Sequence, residues 1–133
     1  MDILTRAGLA LLIILAGTSF YLLYQRWTQV RTLGLLSELG PLRPDATTLV
    51  YFTTPTCIPC KTIQRPAIQK ASQLLGEALQ VLEIDASERP EMASRWGVLS
   101  VPTTFVIDPG GEVRHVNHGV TRAEKLMEQI HNH

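Results

Sequence analysis

Cys57 and Cys60 are the only two cysteines in the chain, and Ile58 and Pro59 stand between them. They follow an apolar run, Leu49-Val50-Tyr51-Phe52, and open a stretch that the spacing of apolar residues marks as helical. That placement suits thiol–disulfide chemistry. A helix N-terminus favours negative charge and so stabilises a thiolate. The thiolate is the nucleophilic form of cysteine. A second cysteine one turn on can close a disulfide and expel a bound partner. Structural zinc commonly needs two C-x-x-C pairs, or one pair with two histidines. No third cysteine is present, and His115 and His118 lie far downstream at tighter spacing than the usual H-x₃₋₅-H. A purely structural disulfide is equally unfavoured, because so small a loop removes little entropy from the unfolded chain.

The elements around the dithiol follow from periodicity. Thr47–Thr53 is β-branched and aromatic and reads as a buried strand. Thr54-Pro55-Thr56 reads as a turn. Residues 58–75 read as a helix whose inner face carries Ile63, Ala67, Ile68, Ala71, Leu74 and Leu75, kinked at Pro66 and stopped by Gly76. Leu79–Ile84 is a second strand. Arg89–Trp96 is a short helix ended by Gly97. Thr103–Ile107 and Glu112–Val116 form a hairpin about Asp108-Pro109-Gly110-Gly111. Residues 121–131 form a last helix with Leu126, Met127 and Ile130 inward, and Thr121 with Glu124 as a capping box. The order β-α-β-α-β-β-α implies an α/β domain with a four-stranded mixed sheet and helices on both faces. Its first two strands are parallel through a right-handed crossover.

The N-terminus has a different character. Ala7–Tyr24 is eighteen residues without a charge, bracketed by Arg6 and Arg26. As a helix it measures about 27 Å, close to the hydrocarbon layer of a bilayer. Tyr21, Tyr24 and Trp27 cluster at its far end, as interfacial aromatics do. The segment is expected to cross the lipid bilayer as one uncleaved transmembrane helix. A cleaved signal peptide, with a shorter apolar part and an A-x-A-like site, is the alternative. Arg26, Arg31 and Arg43 lie after the segment and Arg6 before it, a balance that slightly opposes export of the C-terminal part. The expected organisation is an anchor over 1–27, an amphipathic stem and linker over 28–46 (Trp27, Val30, Leu33, Leu36 and Leu39 at helical spacing), and a folded domain over 47–133. Twelve basic residues balance twelve acidic ones, and with no basic block nucleic-acid binding has no support.

With that order and a dithiol at the first strand–helix junction, residues 47–131 resemble the thioredoxin superfamily. Lys61 after the second cysteine carries the likeness. So do Gly97-Val98-Leu99-Ser100-Val101-Pro102-Thr103-Thr104 before the third strand, the hairpin Asp108–Val113, and Gly119 after the fourth strand. The resemblance implies a cis bond before Pro102, facing the dithiol, with the Val101 backbone left free to pair with an extended substrate segment. It also has departures. Thr56-Cys57-Ile58-Pro59-Cys60 replaces the Trp-Cys-Gly-Pro-Cys of thioredoxins proper. Tyr51 stands where they carry a buried Asp, and Ile63 where membrane-tethered relatives often carry a Glu. Glu83 and Asp85, at the second strand, are the carboxylates left in the neighbourhood.

The expected activity is that of a membrane-tethered thiol–disulfide oxidoreductase. Cys57 attacks and Cys60 resolves, while Thr56, Ile58, Pro59, Val101, Pro102 and Gly119, with His118, shape a groove for a partner's cysteine. The implied partners are cysteine-containing exported proteins and a membrane electron donor or acceptor. No metal or other cofactor is implied. The soluble domain is expected on the periplasmic or extracytoplasmic side. A tethered binding or assembly module, for example in cytochrome maturation, is the competing class, since fold alone does not determine function.

Overall fold

A computed structural model describes residues 2–132, apart from the side chains of residues 29–33. The expected stem positions Val30 and Leu33 therefore lie outside the described side chains. The first helix, α1, spans Ile3–Ser37. Within its apolar stretch Ile3–Thr28, an eighteen-residue span has a mean hydropathy of 2.0 and none of it is buried. The one hydroxyl-bearing threonine within the uncharged stretch is satisfied locally, because Thr18 Oγ1 donates to the carbonyls of Ile14 and Leu15 at 2.9 and 3.0 Å. Such back-bonding keeps a polar side chain compatible with an apolar surrounding.

A compact unit begins at Leu35. It contains β1 (Thr47–Thr53), a helix α2 that starts with a wide π turn (Cys60–Gln64) and continues as Arg65–Leu75, then β2 (Leu79–Asp85), α3 (Pro90–Arg95), β3 (Thr103–Ile107), β4 (Val113–His118) and α4 (Ala123–His131). The sheet order is β2-β1-β3-β4. β1 pairs parallel with β2, with Tyr51 opposite Glu83. β3 runs antiparallel to both β1 and β4. This is the four-stranded mixed sheet expected from the element order, and it agrees with the fold that the resemblance implied. β4 runs two residues further than the hairpin pattern indicates, to His118, because Thr103 pairs with His118.

Every residue of β1 is buried, so its side chains alternate between two cores. Val50 and Phe52 face a cluster with Leu36, Ile84, Trp96 and Phe105. Trp96 and Phe105 meet edge to face, with ring centroids 4.9 Å apart. Leu49 and Tyr51 face the opposite cluster, with Cys60, Ile68, Ala71, Leu126 and Ile130. The last turn of α1 belongs to the first of these cores, since Leu36 is buried there and Glu38 bonds Arg95 through both carboxylate oxygens.

Two expectations from sequence are corrected. Ile63 and Leu74 do not face the core; both are exposed, and Gln64 is buried instead. The π turn is the reason. The Arg65 N–H reaches back five residues to the Cys60 carbonyl, which inserts one residue and turns the face of the helix. Pro66, which has no N–H to continue the ladder, follows at once. The capping box at the start of α4 does not form. Arg122 occupies the cap without a side-chain bond, and Thr121 is buried one residue earlier.

Candidate active site

Cys57 and Cys60 are joined as a disulfide at the C-terminal end of β1. The strand delivers the chain into a turn at Pro55-Thr56, where the Cys57 N–H bonds the Thr54 carbonyl at 3.2 Å. Helical structure begins at Ile58. Cys57 is thus at the helix N-terminus, and its sulfur accepts the Cys60 N–H at 3.2 Å. A backbone donor aimed at sulfur stabilises the thiolate that remains when the disulfide opens. The two sulfurs differ in access: Cys57 is half-buried, while Cys60 is completely enclosed.

Tyr51 lies in the core cluster that encloses Cys60 and is itself buried. Its hydroxyl donates to the Cys60 carbonyl at 3.0 Å. Burial pushes the Tyr51 phenol above its ordinary value, partly offset by a hydrogen bond with Thr53 and by Arg65. Beside it, Arg65 is paired with Glu83, whose side chain is about half exposed. Asp85 accepts from the N–H and hydroxyl of Ser87, which hold its carboxyl below the usual range. Both carboxylates lie on the Tyr51 side of the sheet, Glu83 opposite Tyr51 and Asp85 opposite Thr53.

The Val101–Pro102 bond is cis, as the resemblance implied. Val101 and Cys57 both pack against the cluster that contains Cys60. The Pro102 carbonyl accepts the Gly119 N–H at 2.9 Å, and Gly119 has φ +91°, a conformation that side chains other than glycine rarely adopt. Thr56, Ile58 and Pro59 are exposed at the rim, as is His118. The structure therefore gathers Cys57, Cys60, Val101, Pro102 and Gly119 at one end of the sheet.

Gln64 is a residue that sequence reading missed. Fully buried, it clamps the segment before α4: its Nε2 donates to the Thr121 carbonyl at 3.0 Å and its Oε1 accepts the Thr121 N–H at 2.8 Å. The available signal was Pro66 two residues on, which makes a regular helical phase through this turn untenable.

Residues 41–132 match the family model for thioredoxin. The chain belongs to the thioredoxin family. It is 35% identical to a thioredoxin of Bacillus subtilis over 67% of this chain and 84% of that protein. It is 32% identical to a thioredoxin of Rickettsia bellii over 68% of this chain and 85% of that protein. Among solved structures, thioredoxin-2 of the malaria parasite superposes with a TM-score of 0.65 at 19% identity, covering 71% of this chain and 89% of that one. StoA from Bacillus subtilis superposes with a TM-score of 0.52 at 18% identity, covering 64% and 82%. These two likenesses concern the fold. Membership in the thioredoxin family, together with the disulfide pair, makes the chain a thiol–disulfide oxidoreductase acting on cysteine-containing proteins.

Proposed function

We propose that this chain is a membrane-tethered reductase of disulfides in exported proteins, with Cys57 as attacking thiolate and Cys60 as resolving thiol. The observation that carries the assignment of roles is the difference in access: Cys57 is partly open to a partner and receives an N–H, while Cys60 is enclosed. The Cys57 thiolate attacks one sulfur of a substrate disulfide. A mixed disulfide forms, and the other substrate sulfur leaves as a thiolate and takes a proton. Cys60 loses its proton and attacks the Cys57 sulfur. The second substrate thiol departs, and two electrons have passed to the substrate. The Cys57–Cys60 disulfide is then reduced again by a membrane electron donor. The groove for the substrate is formed by Thr56, Ile58, Pro59, Val101, Pro102 and Gly119, with the Val101 backbone pairing to the extended segment.

Anchoring by residues 1–27, a stem and linker over 28–46, and an exported domain complete the reading. The apolar stretch Ile3–Thr28, exposed from Ile3 to Trp27, supports the anchor. In the full chain in detergent, limited alkylation near neutral pH is expected to label Cys57 first, and insulin disulfide reduction is expected to vanish in Cys57→Ser. Preferential labelling of Cys60 overturns the roles. Insulin left unreduced by the native chain favours a binding module. For the topology, a phosphatase reporter that is active only outside the cytoplasm, fused after His133, is expected to be active. Activity of a cytoplasm-only reporter instead removes the exported reading. A shortened mature protein removes the anchor.

A further inference from the structure

We infer that the outer edge of β2 is a docking strand for an extended segment of a partner protein, approaching the dithiol from the side opposite Val101. β2 is a terminal strand of the sheet, paired with β1 alone. Along a strand, the N–H and C=O of successive residues point alternately to the two sides. The Ala86 N–H bonds Thr53 of β1, and the Leu79 carbonyl accepts from the Arg43 guanidinium on the other side. By that alternation Gln80, Leu82 and Ile84 bond β1, whereas Val81, Glu83 and Asp85 present their backbone groups outward. The Asp85 carbonyl is taken by the Glu88 and Arg89 amides. Among the described residues, no bond from outside β1 reaches the N–H and C=O of Val81 and Glu83 or the N–H of Asp85. A row of unpaired groups on a regular strand is a template for another strand.

The edge is unobstructed where it counts. β2 carries no proline and pairs with β1 in unbroken register over its seven residues. A groove of about 710 Å³ runs along Val81–Asp85 and continues to Thr54, Pro55 and Lys61, which flank the two cysteines. The docking edge is therefore continuous with the face on which protein substrates react. A second copy fits less well than a foreign segment. Antiparallel self-pairing about Leu82 sets Leu79 of each copy against Asp85 of the other. Arg43 occupies the first of these positions, with its own N–H also bonded to the Gln80 side chain, and the Asp85 carbonyl is already used. A segment four or five residues long, centred on Val81–Glu83, avoids both.

The test needs no redox turnover, so its outcome is independent of the proposed reductase role. A displayed library of cysteine-free nine-residue peptides is selected on the full chain in detergent, with Val81→Pro as counter-target. Proline removes the outward N–H without touching the bonds to β1. Enrichment of at least tenfold on the native chain is expected. The selected peptide should slow amide exchange at Val81 and Glu83 by about tenfold or more, and leave Gln80 and Leu82 unchanged. The exchange measurement uses the native chain, so a poorly folded Val81→Pro does not disable it. The proposal fails if no peptide is enriched, or if enriched peptides protect other amides. It fails equally if the Val81 and Glu83 amides are already slow in the free protein, or if raising the protein concentration alone protects them, which would assign the edge to a second copy.

Discussion

The Tyr51 hydroxyl donates to the carbonyl of Cys60 at 3.0 Å, from the strand position directly opposite Glu83. A phenol pushed up by burial is a poor proton acceptor at neutral pH. Tyr51 therefore holds the turn that carries the resolving cysteine, and does not supply a base for it. Tyr51→Phe is expected to cost about 1 kcal/mol, the net worth of one neutral hydrogen bond. Tyr51→Asp should lose about 3–5 kcal/mol through the missing core aromatic, yet resolve mixed disulfides faster near neutral pH, because an acid then sits beneath Cys60. Stopped-flow resolution with a labelled peptide disulfide measures this. Equal rates in folded Tyr51→Asp and native protein would show that another group already takes the proton, and Glu83 is the first to examine.

Gln64 and Thr121 exchange two hydrogen bonds in a buried setting. Replacing Gln64 by Leu keeps the volume but strands the Thr121 N–H and C=O. Each unsatisfied group costs about 1–3 kcal/mol. A loss of about 2–4 kcal/mol in denaturant unfolding is expected, and a loss below about 0.5 kcal/mol would show that the clamp contributes nothing.

Asp108, at the β3–β4 turn, is buried. Burial raises its carboxyl, but the Glu112 N–H at 2.9 Å and Arg114 at 2.7 Å outweigh it and hold the carboxyl below its ordinary value. A carboxyl depressed in the folded state contributes stability above its unfolded pKa, near 3.9, and loses that contribution as pH falls through the folded value. Asp108→Asn is expected to cost about 1–3 kcal/mol at pH 7. The gap to the native protein should shrink between pH 5 and the acid limit of folding. Parallel stability curves for the two proteins over that range would contradict the linkage.

Leu36 lies in the core with Phe52, Trp96 and Phe105, while Glu38 binds Arg95. A fragment beginning at Leu35 should therefore be more stable than one beginning at Thr47. Burial of one leucine accounts for about 2–3 kcal/mol of the difference. The exposed pair adds little at the surface. Urea midpoints of the two fragments decide the matter, and coincident midpoints would confine the domain to 47–133.

The family resemblance placed Pro102, whereas the strand and helix order and the dithiol at the first strand–helix junction were legible in the residues themselves. Each rests on local physics: β-branched runs bounded by turn residues, glycines at positive φ, and a C-x-x-C whose chemistry depends on one helix terminus. The uncharged length of Ala7–Tyr24 was equally plain. The phase of α2 was not legible, because one long-range exchange decides it. Gln64 satisfies Thr121 across the core, 57 residues away, and the π turn turns it inward at the expense of Ile63. That same contact removes Thr121 from its expected cap on α4. Only pairing across the sheet and packing between helices could show that Tyr51 reaches the Cys60 carbonyl, that Glu83 is engaged by Arg65, and that β2 ends the sheet with β1 as its one neighbouring strand. Such contacts depend on which elements become neighbours, and a periodic pattern along one element carries no information about its neighbours.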